Sequence, residues 1–376
     1  MADSNLIFYN SVDLFHPEKS NLYAEFVNEK PGFDLFQYMF RIFAANLSLV
    51  DRTKTLTTPL NMQLLDCCKL PNYDPDFSLD FTDICQARAR WFLDYAQNTN
   101  RKIVVMYSGG IDSTLILSSF IMVGTVEELK NNIVVLLTNT SIDENPTFYR
   151  NHVLKKFTLE SGYAFQNFLG NPKYIVVTGE GNDQLFGSAV MHRFVLKKGP
   201  DIITATPTSS LISELINESV HDREKSEKIT ELFNRVVNSA PMKIETVNQY
   251  FWWLNFTLKW QSVYMRMVAY TSPKFRSTVK IEDNYFTFFH APDFQKWVMR
   301  HPDQLIRETW ASYKWKCKEV IFEVNPDENY RDNKTKFGSL IRVVTGKHIA
   351  KCIDSNGVFY DTVYPSDCWN DMNDFI

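Results

Sequence analysis

The segment from Ile103 to Phe120 constrains this chain more than any other. Ile103-Val104-Val105-Met106 is a short apolar, β-branched run of the kind that forms a buried strand, and Thr114-Leu115-Ile116-Leu117-Ser118-Ser119-Phe120 reads as a buried helix. Between them stands Tyr107-Ser108-Gly109-Gly110-Ile111-Asp112-Ser113. Two adjacent glycines flanked by hydroxyls, placed where a strand turns into a helix, leave backbone N–H groups pointing outward at the positive end of a helix. A phosphate or pyrophosphate fits such a loop. The loop lacks the Gly-Lys-Ser/Thr ending of a Walker A motif, and Gly-x-Gly-x-x-Gly is absent as well.

The surrounding pattern predicts an α/β fold. Strands at 103–107, 133–138 and 174–178 alternate with helices at 113–123, closed by Gly124, and near 146–161. Apolar strands separated by helices predict a parallel sheet with helices on both faces. Right-handed crossovers then bring the strand-following loops to one sheet edge. Leu6–Tyr9 reads as a strand, Asp34 to Ala45 as an aromatic-rich helix, and Asp80 to Tyr95 as a helix delivering the chain to the first central strand. Leu70-Pro71-Asn72-Tyr73-Asp74-Pro75-Asp76 marks a linker or tight turn. From Ser210 to Ala240 and from Ile244 to Tyr270 the pattern is helical. The stripe Tyr250, Trp253, Leu254, Thr257, Trp260, Gln261, Tyr264 recurs at core spacing. Near the end, Asp354-Ser355-Asn356-Gly357 between Leu340–Val344 and Val358–Tyr360 signals a hairpin.

A second glycine-rich turn follows the third of these strands: Gly179-Glu180-Gly181-Asn182-Asp183-Gln184-Leu185-Phe186-Gly187-Ser188, after Tyr174-Ile175-Val176-Val177-Thr178. With both turns quoted, a resemblance emerges. The first resembles the PP-loop of ATP pyrophosphatases. The second resembles the Ser-Gly-Glu-Gly-x-Asp-Glu-x-Phe-Gly-Gly signature of the synthetase half of asparagine synthetases and their β-lactam synthetase relatives. Gln184, Ser188 and Thr178 depart from that signature.

The resemblance implies an adenine-nucleotide α-hydrolase-like fold over roughly residues 80–340, with a mostly helical C-terminal part and a short terminal hairpin. Residues 1–79 then form a region of unknown role, and residues 341–376 the hairpin and an acidic tail. It implies an AMP-forming amide ligase. A substrate carboxylate attacks the α-phosphate of ATP, and ammonia or an amine displaces AMP from the acyl-adenylate. Ser108, Gly109, Gly110, Asp112, Ser113 and Gly179 would bind the nucleotide. Asp112 and Asp183 would hold Mg²⁺, and an N-cap, the plain reading of Asp112, can coexist with that role. Glu180 would manage the amine's proton, and Lys334 would support the phosphate or tetrahedral charge. Lys334 keeps the family's Lys-x-x-Phe spacing within Tyr330-Arg331-Asp332-Asn333-Lys334-Thr335-Lys336-Phe337. Lys336 is the alternative, and a solvated basic loop is the plain reading of either.

Composition and charge bound the partners. The chain has 376 residues and is 44% hydrophobic, enough for one large core or two modest ones. No apolar stretch reaches membrane-spanning length. Met1-Ala2-Asp3-Ser4-Asn5 lacks a signal-peptide pattern, and the six cysteines show no Cys-x-x-Cys spacing. The expectation is a cytoplasmic protein with reduced thiols. Ala2 stands where a glutaminase domain would carry its cysteine, so the nitrogen is expected as ammonia, as a primary amine, or from a separate glutaminase. Residues 251–351 carry 17 basic and 10 acidic side chains, and Lys259, Arg266, Lys274, Arg276 and Lys280 follow one another without an acid. ATP and pyrophosphate account for that field first, and a nucleotide or tRNA base as substrate is the bolder reading. A non-catalytic nucleotide-binding regulator is the remaining alternative, and intact Asp112, Glu180 and Asp183 weigh against it.

Overall fold

The structure is a computed structural model that describes residues 6–10, 33–43, 48–187, 189–306, 309–334 and 349–361. Two compact units divide the chain. One comprises residues 71–185 and 270–349; the other comprises 1–70, 186–269 and 350–376.

The first unit is built on a five-stranded, wholly parallel sheet. Its strands are β2 (Lys102–Met106), β3 (Ile133–Leu137), β4 (Thr158–Ser161), β5 (Tyr174–Thr178) and β6 (Tyr285–Thr287), in spatial order β4-β3-β2-β5-β6. The chain winds outward from β2 through β3 to β4, then returns to the other side of β2 with β5. The direction reverses between β2 and β5, the switch point where open α/β sheets present ligand crevices. The pairing Lys102↔Tyr174 through Val105↔Val177 keeps these two strands in step. The loops after Met106 and Thr178 therefore leave the same edge side by side. The three central strands are buried along nearly their whole length, as their unbroken β-branched runs require in a sheet flanked by helices.

The helix Ile111–Val123 is apolar on every side and buried through most of its length, and it closes on Gly124, whose N–H donates to the Phe120 carbonyl. The helices Phe81–Thr99 and Trp315–Val324 pack against it. Asp80, at the expected boundary, is the N-cap of the former, its carboxylate accepting from Thr82 N–H at 2.8 Å.

The second unit joins β1 (Leu6–Tyr9) to β7 (Cys352–Asp354) and β8 (Phe359–Tyr360) in an antiparallel sheet of order β1-β7-β8. The helix Val247–Leu258 is buried at every position, and the stripe from Tyr250 to Tyr264 is core throughout. Gln261, fully buried, donates to the carbonyls of Ile7 and Gln63 and accepts from Leu65 N–H, so its amide is satisfied. Arg52 is also buried. It donates to the carbonyls of Cys68, Lys69 and Phe256 and stacks on Trp260, while burial lowers its pKa to about 9.

Several expectations need adjustment. The helical stretch expected over 146–161 ends at Lys156. Phe157 turns extended and Thr158–Ser161 becomes the edge strand β4, since β3 offers an unpaired edge that a short segment with Phe157 and Leu159 in alternation can fill. The strand β6 was not expected; three residues carry no legible period. The Asn-Gly turn does close a hairpin, but its first arm is Cys352–Asp354. Leu340–Val344, Ser188, Lys336 and the acidic tail from Asp367 lie outside the described residues. Among the described residues no helix is long and apolar enough to cross a membrane.

Candidate functional site

The two glycine-bearing turns interlock at the switch point. Gly109 has φ of +77°, and a Cβ there would collide with the Ser141 carbonyl oxygen and sit 2.8 Å from Glu144 Cβ. Only glycine fits. Gly179 is required by proximity: a Cβ on it would lie 2.9 Å from Asp112 Cβ. The second turn also reaches across with a side chain, Asn182 Nδ2 donating to Asp112 Oδ1 at 2.7 Å.

Within the first turn, the expected phosphate-binding hydroxyls engage one another. Ser108 Oγ and Ser113 Oγ are 3.1 Å apart, Ser113 Oγ accepts from Ser108 N–H, and Ser108 Oγ accepts from Gly110 N–H. Gly110 is the N-cap of the following helix, and no side chain caps that terminus. The helix start is therefore left to its own backbone dipoles and to whatever anion approaches.

Asp112 and Asp183 come together around a residue the sequence did not single out. Lys314 Nζ lies 2.5 Å from Asp112 Oδ1 and 2.6 Å from Asp183 Oδ1. The lysine side chain is 3% exposed, each aspartate 28%. Tyr313 Oη donates to Asp183 Oδ1 at 2.9 Å. Burial pushes the Lys314 ammonium toward neutrality, but the two carboxylates outweigh it and hold the pKa well above its ordinary value. Burial, reinforced by Asp183, raises the Tyr313 phenol well above its usual range. Burial also raises the Cys317 thiol, one turn along, to about 12, which keeps it protonated. As arranged, the aspartate pair does not fit a bridging Mg²⁺, because an ammonium fills the position such an ion would take. Among the described residues no group of three or more His, Cys, Asp or Glu side chains is arranged to hold a metal ion.

Lys334, expected near the phosphates, pairs with Glu144. Its Nζ is 2.8 Å from Glu144 Oε1, with side chains 13% and 5% exposed. Glu144 Oε1 in turn lies 3.7 Å from where a Cβ on Gly110 would stand. Tyr330 Oη donates to the Gly109 carbonyl at 3.3 Å. Thr140, Asp143, Glu144, Asn145, Tyr330 and Lys334 help line a cleft of about 470 Å³. Glu180 is half-buried beside Gly179.

Four contributors escaped sequence reasoning: Asn182, Glu144, Tyr313 and Lys314. Glu144 follows β3 within one short helix, so the strand-end rule that located Asp112 reaches it too. Asn182 sits inside the second motif. Tyr313-Lys314-Trp315-Lys316-Cys317-Lys318 alternates lysine like any solvated basic segment, and nothing in that spacing marks Lys314.

The basic run is divided between the two units. Lys259 and Arg266 belong to one unit, and Lys274, Arg276 and Lys280 to the other. Lys259 and Arg276 direct donors at the carbonyls of Phe43 and Thr271. Compared with models of known protein families and with curated protein sequences, the chain has no significant match to either.

Proposed function

We propose that this protein is an ATP-dependent, AMP-forming amide ligase of the asparagine synthetase-like kind. The reading is supported above all by the interlocking of two glycine-bearing turns at the reversal point of a parallel sheet. Gly179 and Asn182 of one turn both meet Asp112 of the other. A crevice of that kind suits a ligand with closely spaced anionic groups.

In this reading a substrate carboxylate oxygen attacks the α-phosphorus of ATP, the bond to the β-phosphate oxygen breaks, and pyrophosphate leaves. Backbone N–H groups at the start of the helix Ile111–Val123, with Ser108 and Ser113, meet the charge that develops on the leaving group. An amine nitrogen then attacks the acyl carbon, AMP departs, and Glu180 accepts the proton the nitrogen sheds. Lys334, held by Glu144 beside the first turn, supplies a positive charge close to the reacting phosphates.

The test is a screen of small carboxylates and amines with ATP and Mg²⁺, scored for AMP and pyrophosphate. A carboxylate-dependent release of both, with amide formed, is the expected result. ADP and inorganic phosphate as the nucleotide products would overturn the reading.

A further inference from the structure

Two carboxylates at adjoining strand ends are ligands a divalent cation seeks, yet here the gap between them is already filled from within the chain. Lys314 Nζ is 2.5 Å and 2.6 Å from Asp112 Oδ1 and Asp183 Oδ1. A magnesium ion bridging the same oxygens would sit about 2.1 Å from each. Ion and ammonium therefore compete for one position. We propose that Lys314 is a built-in cation that closes the Asp112–Asp183 pair to free divalent metal, so that any metal used in the reaction arrives on the nucleotide.

Three further observations carry this. First, each oxygen facing the gap accepts a second hydrogen bond: Asp112 Oδ1 from Asn182, Asp183 Oδ1 from Tyr313. Those donors present positive hydrogens to the same atoms a metal would need. Second, the lysine is delivered by a special backbone. Lys314 has φ of +58°, a left-handed conformation that long side chains seldom adopt. It stands at the start of the helix Trp315–Val324, which packs on the helix carrying Asp112. Third, the two lysines that follow differ from it. Lys316 pairs with Asp80 and Glu319 at a quarter exposure, and Lys318 donates to the Ala311 carbonyl. Only Lys314 of the three meets both strand-end carboxylates. A tethered ammonium is present at any metal concentration, which a bound ion is not.

The last clause of the proposal rests on the ligase reading, while the closing of the pair stands on the geometry alone. Free Mn²⁺, followed by its electron paramagnetic resonance signal without nucleotide, probes the pair directly. Lys314→Met is expected to bind Mn²⁺ at least tenfold more tightly than the unaltered protein, and adding Asp183→Asn should remove that gain. Equal affinity of the unaltered protein and Lys314→Met, at any level, overturns the proposal. Should Lys314→Met not fold, the unaltered protein is compared with Asp183→Asn. Matching weak binding supports a closed pair, and tighter binding by the unaltered protein overturns it. No turnover enters this measurement, so its outcome is separate from that of the AMP assay.

Discussion

Lys318 and Glu180 test different kinds of burial. Lys318 is 1% exposed, and burial brings its pKa down to about 8. Its ammonium is thus a charge the fold carries at a cost below pH 8, a cost that fades as the pH rises from there toward the ordinary lysine value. Lys318→Met is expected to stabilise the protein at pH 7, by roughly 1 kcal/mol. The gain should shrink as the pH is raised past 8, read from melting temperatures across a pH series. Lys314 behaves oppositely: its ammonium is favoured, and removing it leaves two carboxylates opposed. In the presence of a chelator Lys314→Met should lose about 3 kcal/mol of stability. Under the proposed ligase function, replacement of Glu180 by Gln should slow amide formation about 100-fold while leaving carboxylate-dependent ATP–pyrophosphate exchange near normal, because in that reaction only the second step needs a proton acceptor. Loss of both activities together would assign Glu180 to binding instead.

Among the elements, what could be read from sequence followed local rules. Three β-branched runs mark β2, β3 and β5, Asp80 marks a helix start, Gly124 a helix end, and Asn356-Gly357 a hairpin turn. The two glycine-rich turns were legible because glycine in a strand-to-helix turn has few structural uses. Lys314 was not, since its role comes from a left-handed backbone and from partners 202 and 131 positions away in sequence, Asp112 and Asp183. The edge strands β4 and β6 were hidden for a related reason: an unpaired neighbour, rather than their own composition, makes them strands. The turns themselves yield a prediction. Gly179→Ala would press its Cβ on Asp112 and pry the turns apart, so under the proposed function ATP affinity, measured by equilibrium dialysis, should fall at least tenfold with the far-ultraviolet circular dichroism unchanged. Unaltered affinity would show that the close approach of the turns is irrelevant to the nucleotide.

For the whole molecule, no local pattern records which distant segments share a core. The chain passes from one unit to the other at residues 70–71, 185–186, 269–270 and 349–350. Residues before Leu70 supply β1 to the sheet that β7 and β8 complete, and supply the carbonyl partners of Gln261. A chain started at Pro71 would bare the edge of β7 and leave a buried amide unsatisfied. It is expected to accumulate as insoluble aggregate to a greater extent than the 376-residue chain, a difference that centrifugation of expressed lysates will show.

The in-step pairing of β2 with β5 also decides where the protein can tolerate change in length. A residue inserted into either strand would reverse which side the rest of that strand's side chains occupy and displace the turn that follows, carrying Asp112 or Gly179 away from its counterpart. The outer ribbon Thr158–Ser161, largely open to solvent, has no such obligation. Lengthened variants of this chain should therefore survive with additions near Thr158 and perish with additions near Val105 or Val177.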